Sequence, residues 1–183
     1  MTQYAYPDAD DTDGNWTDKS GGSTLYTSID DTQGSPDDAT TYIKVEDTGS
    51  NEVCIVRLGD VSAPGSSGTY IKYRALTEDN MSTGNPPDLK LELLQDTTVK
   101  ATTTNTSVST SSFTSYSYTI SDVSGISDWT DLKMRLTMIP GDGSWAMAGD
   151  RMLVTQVYLE TPDAGASTPI AAIAMNTYKQ MRN

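Results

Sequence analysis

No histidine occurs in this 183-residue chain, and its single cysteine, Cys54, lies in the apolar run VCIVRL. The commonest general base, the commonest zinc ligand and any intrachain disulfide are therefore missing. Neither Cys54 nor the serines have a histidine with which to form a nucleophile–base pair. Carboxylates are what remains, with 25 Asp and Glu against 12 Lys and Arg. Glu46, Glu52, Glu92 and Glu160 lie on or beside extended segments. Glycoside hydrolysis needs two carboxyls at a defined separation, one with a raised pKa, and nothing in the sequence singles out such a pair. Asp8, Asp10, Asp11 and Asp13 precede Gly14 in a pattern superficially like a calcium loop. With Gly14 in the sixth place, Ala9 falls first and Ser20 last, so the EF-hand ligand set fails. The expectation is a solvated acidic lead, no metal, no cofactor and no enzyme activity.

Binding chemistry is better supplied. Tyr70, Tyr116, Tyr118 and Tyr158 fall in extended segments, where tyrosines either pack across strands or form a flat platform for a sugar ring. Both assignments stand open at this level. A formal net charge of −13 argues against a nucleic-acid groove, which needs clustered positive side chains, and against an anionic membrane surface. No segment resembles a signal peptide or a membrane span, which leads to the expectation of synthesis in the cytoplasm without secretion.

The elements that would position these groups are strands. Residues 126–160 form the frame: Leu132, Met134, Leu136 and Met138 alternate with Lys133, Arg135 and Thr137, and after a Gly-rich connection a second alternating segment follows. There Leu153, Thr155, Val157 and Leu159 are expected on one face, with Met152, Val154, Gln156 and Tyr158 on the other. A period of two marks a pleated strand, whose successive side chains leave opposite sides. Further strands are expected at 25–29, 40–45, 52–58 and 69–76, with a hairpin from 89–93 and 99–104 around a turn at Gln95–Thr97. The Ser/Thr-rich stretch to 117 also reads as strand, because Val108, Phe113, Tyr116, Tyr118 and Ile120 recur within it and Thr favours extended backbone. Eight or nine strands joined by turns fit an all-β, antiparallel β-sandwich, jelly-roll-like, over residues 24–160.

Flanking segments differ in character. Residues 1–23 form an acidic lead interrupted by Tyr4, Tyr6 and Trp16, aromatic groups that dock on the domain's own edge or on a neighbour. Residues 161–183 comprise a small-residue linker and a C-terminal arm or short helix. Within it Ile170, Ile173, Thr177, Tyr178 and Met181 fall three and four apart as a weak apolar stripe.

Seven stretches carry a family resemblance: GNWT (14–17), TLYTSIDD (24–31), DDATTYI (37–43), YIKYRA (70–75), LKLELLQ (89–95), ISDWTDLKMRLT (126–137) and VYLETPDA (157–164). Together they resemble a sandwich domain of tailed-phage and prophage structural proteins, most like a capsid decoration (cement) protein. The resemblance implies a homotrimer on the outer capsid surface of a virion, clamping the major capsid protein of neighbouring capsomers without nucleic acid or membrane. Under it, Tyr4, Tyr6, Trp16, Ile170, Ile173, Tyr178 and Met181 are the candidate capsid or subunit contacts. The alternative is a tail- or fibre-associated or carbohydrate-binding module, with Tyr70, Tyr116, Tyr118 and Tyr158 as its glycan platform.

Overall fold

The computed structural model describes residues 1–38, 40–78, 85–141 and 150–164. Within them the chain is all-β: two antiparallel sheets enclose one core, in a jelly-roll-like sandwich. Eleven strands are formed among the described residues. The six-stranded sheet contains β1 (Thr2–Ala5), β3 (Thr17–Asp18), β4 (Ile43–Glu46), β6 (Thr69–Glu78), β9 (Thr114–Ile120) and β11 (Arg151–Pro162). The five-stranded sheet runs in the order β2 (Pro7–Thr12), β5 (Glu52–Leu58), β10 (Leu132–Ile139), β7 (Asp88–Gln95) and β8 (Thr98–Asn105).

The two segments read as a frame are central strands, one in each sheet. β10 lies between β5 and β7. Its alternation works as written, with Leu132, Met134, Leu136 and Met138 fully buried. β11 pairs with β6 along one side, while β4 and β1 share the other, β4 at Arg151–Val154 and β1 at Leu159–Pro162. The gap between them is bridged by Ile29, whose carbonyl accepts from the Val157 amide at 3.1 Å.

The facial assignment of β11 needs correction. Its pairing with β6 shifts register between Val154 and Gln156, a bulge at Thr155. One extra residue reverses the parity of the pleat. Met152 and Val154 therefore share the core with Val157 and Leu159, and Leu153 falls outside that cluster. The Thr155 hydroxyl donates to the Thr41 carbonyl at 2.9 Å, which anchors the extra residue. A second correction concerns residues 25–29, where Tyr26–Ser28 form a 3-10 turn and Leu25 and Ile29 are buried.

The acidic lead is woven into both sheets. β1 pairs with β11, and β2 pairs with β5. Trp16, expected as an interface anchor, is 1% exposed in the core, and its indole N–H donates to the Glu52 carbonyl at 3.2 Å. Gly14 makes that approach feasible, because its φ is +58° and a Cβ there would collide with the Val53 carbonyl oxygen. The hairpin between β7 and β8 turns through Asp96 and Thr97, with Asp96 at φ +54°, a conformation Asp tolerates better than most residues.

Candidate functional site

On β6 the core takes Ile71, Tyr73 and Ala75, so the pleat turns Tyr70, Lys72 and Arg74 outward. Past its bulge β11 likewise turns Gln156, Tyr158 and Glu160 outward, opposite to Val157 and Leu159. On β9 the outward positions are Ser115, Ser117 and Thr119. Registers align these into three transverse rows: Glu160–Tyr70–Thr119, Tyr158–Lys72–Ser117 and Gln156–Arg74–Ser115. β1 extends the first row with Tyr4, which pairs with Glu160.

Two tyrosines of the lead meet a third from β11 here. The Tyr4 and Tyr6 rings stack with centroids 6.1 Å apart, and the Tyr158 ring lies 6.0 Å from Tyr4 and 5.3 Å from Tyr6. Tyr158 is only 5% exposed although it faces outward, because these rings cover it. Burial, with the Glu160 carboxylate and the two neighbouring tyrosines adding to it, pushes its pKa up to about 12. The hydroxyl therefore remains a neutral donor and acceptor. Beside it the Lys72 ammonium lies 4.8 Å from the Tyr70 ring centroid and 3.9 Å from the Glu160 carboxylate. The charges on this patch cancel. An open depression of about 200 Å³ is lined by Lys72, Ser115, Ser117, Gln156 and Tyr158, among others.

Residues 31–38 wall the third row. Gln156 donates from its side-chain amide to the carbonyls of Asp31 (2.8 Å) and Thr32 (3.1 Å). Arg74 grips Asp38 with two parallel bonds of 2.5 and 2.6 Å and donates to the Ser115 hydroxyl at 3.0 Å. The Gln33 amide donates to the Tyr6 hydroxyl at 2.9 Å. Asp38 holds the turn with φ +36°.

The expected glycan platform thus splits. Tyr70 and Tyr158 face outward, while Tyr116 and Tyr118 face inward against the core, with Tyr116 stacked on Tyr73 at 5.1 Å. Their parity along β9 follows from Ile120, which is buried on the same side. Tyr4 and Tyr6, expected as capsid or subunit contacts, complete the outward patch. Ile170, Ile173, Tyr178 and Met181 lie outside the described residues.

Other polar groups are committed elsewhere. The Glu52 carboxylate accepts from Asn15 and Thr48, both at 2.7 Å. Glu92 is bonded by Arg135 at 2.7 Å and Lys90 at 2.9 Å. Among the described residues no group of three or more Cys, Asp and Glu is placed to hold a metal ion, and no helix is long and apolar enough to cross a membrane.

No protein-family model matches the chain, and no curated protein matches its sequence. Solved structures align with most of its length. A xylan-binding module of the CBM15 type aligns with 89% of this chain and 97% of its own length, at 8% identity and a TM-score of 0.45. The CBM22-1 xylan-binding domain of Xyn10C from Paenibacillus barcinonensis aligns with 90% and 95%, at 11% identity and a TM-score of 0.42. Tailspike protein 4 of bacteriophage CBA120 aligns over 86% of this chain but 19% of its own, at 11% identity and a TM-score of 0.41. At such identities the likeness does not extend to the side chains of a site.

Proposed function

We propose that this chain is a non-enzymatic β-sandwich module that binds a neutral saccharide on the outward face of its six-stranded sheet. The observation that carries this reading is the Tyr4, Tyr6 and Tyr158 cluster, set one strand spacing from Tyr70 and the Lys72–Glu160 pair. Aromatic faces stack on the apolar C–H faces of a pyranose, and a few convergent polar groups then select its hydroxyls. Lys72, Glu160, Ser115 and Ser117 offer both donors and acceptors, and the local charge balance suits an uncharged ligand.

The capsid-decoration reading draws on two arms. Trp16 is in the core, Tyr4 and Tyr6 pack on Tyr158, and residues 169–183 lie outside the described residues. No observation among the described residues favours that reading over a saccharide site.

Isothermal titration against soluble β-1,4-glucan, β-1,3-glucan, xylan and mannan, with their oligosaccharides, tests the proposal. Tyr70→Ala and Tyr4→Ala are each expected to weaken binding about tenfold, or about 1.4 kcal/mol. Tyr118→Ala, on the inward side, should lower stability and leave the affinity of the folded fraction unchanged. Absence of binding to every glycan, or equal loss on changing Tyr118, overturns it.

A further inference from the structure

The outward face has direction as well as composition. In its third row Gln156 and Arg74 hold residues 31–38 across the sheet. The wall is fixed from two strands and the lead, through Gln156 on β11, Arg74 on β6 and Tyr6, with the Ser115 hydroxyl on β9 accepting from Arg74 behind it. The opposite end of the track is built differently. β6 begins at Thr69 and β9 ends at Ile120, which are register partners. The loops beyond them, 64–68 and 121–124, border an opening of about 350 Å³. Gly68 in that border lies against the Tyr70 ring, since a Cβ on it would stand 3.8 Å from the ring edge. Through Gly68 the opening adjoins the Tyr70 end of the track. From Arg74 to Gly68 the distance is about 20 Å at the rise of an extended strand, several sugar residues long.

We infer that the site takes the end of a neutral glycan chain, with its terminal residue against the 31–38 wall and the rest leaving past Tyr70 over the 64–68 and 121–124 loops. This rests on the saccharide reading above. An internal segment lying along the strands would have to continue through the wall, whose Arg74–Asp38 bonds are bidentate and partly buried. A terminal residue needs no such exit. It meets Ser117 and Ser115, which line the depression and pair with the extra hydroxyl that only a chain end carries.

The number of protein molecules bound per glycan chain decides the matter. The strongest binder from the titration panel is presented as tetramer, octamer and soluble polymer, and light scattering at saturating protein gives the mass of each complex. One protein per chain at every length is the expected result. Several proteins on one polymer chain would overturn end recognition while leaving saccharide binding intact, whereas no complex with any panel member overturns both. The wild-type result stands by itself. Asp38→Ala, which frees one side of the wall, is expected to raise the number bound per polymer chain above one, and Asp38→Asn, which keeps a hydrogen-bonding side chain, to raise it less.

Discussion

Tyr70 and Tyr158 leave their strands toward solvent while Tyr116 and Tyr118 leave theirs toward the core, so one residue type serves recognition and packing according to the parity of its position. The same distinction governs the charged groups. Glu92 faces outward from the five-stranded sheet, yet its side chain is only 7% exposed. Burial raises its pKa, but hydrogen bonds from Arg135 and Lys90 outweigh this and hold it below the ordinary glutamate value. A depressed folded pKa means that the carboxylate stabilises the fold above the unfolded pKa and loses that contribution as pH falls through the folded value. Glu92→Gln should therefore cost about 1–2 kcal/mol at neutral pH. In urea unfolding the gap between variant and parent should close on acidification to about pH 2. A gap that persists unchanged in acid would rule out the ionic account.

At the scale of the element, β11 does most to set the site. The bulge at Thr155 lets the strand bury Met152 and Val154 before it and Val157 and Leu159 after it, and so turns Gln156, Tyr158 and Glu160 outward. Deleting Thr155 makes Val154 and Gln156 consecutive opposite Ala75 and Arg74, which restores strict alternation with Met152, Val154, Val157 and Leu159 still on one face. No aliphatic side chain then leaves the core, and the cost is the hydroxyl bond to Thr41, about 1 kcal/mol. Thr155→Ala keeps the residue count and removes the same hydroxyl bond, also at about 1 kcal/mol. Thermal unfolding followed by circular dichroism should show small drops of similar size for the deletion and the alanine. A much larger drop for the deletion would mean that the extra residue itself, rather than its hydroxyl bond, is needed to seat the strand.

For the whole molecule, the lead is the part that ties the sheets together. Residues 2–5 cover one end of the β11 edge, residues 7–12 cover β5, and Trp16 fills the core between. Removing residues 1–6 strips the β1 pairing, buried Ala5 and two of the three clustered tyrosines. Denaturant unfolding should show a loss of about 2–4 kcal/mol, from burial and strand hydrogen bonds together. Saccharide binding should fall at the same time, even at temperatures where the shortened protein is folded. A shortened protein of undiminished stability would show that the lead is an appendage.

Alternation is a local property, and where it alone decides, the reading from sequence is sound. β5 was legible at its full extent, 52–58, and β6, β7, β8 and β10 nearly so, because every second residue in them is apolar or β-branched. The all-β sandwich follows from those strands. The lead was less legible, since the acidic β2 has little apolar alternation and becomes a strand by pairing with β5. The faces of β11 were misread because a bulge depends on the partner strand and on Thr41, neither of which is adjacent in sequence. Of the candidate site, the sequence by itself determined that tyrosines on strands, in a chain without histidine, were its chemical material. Only the tertiary structure decided which of them share a face. Strand pairing places residues 4, 70, 117 and 158 in neighbouring rows, and such long-range registers are set by how two sheets fill one core.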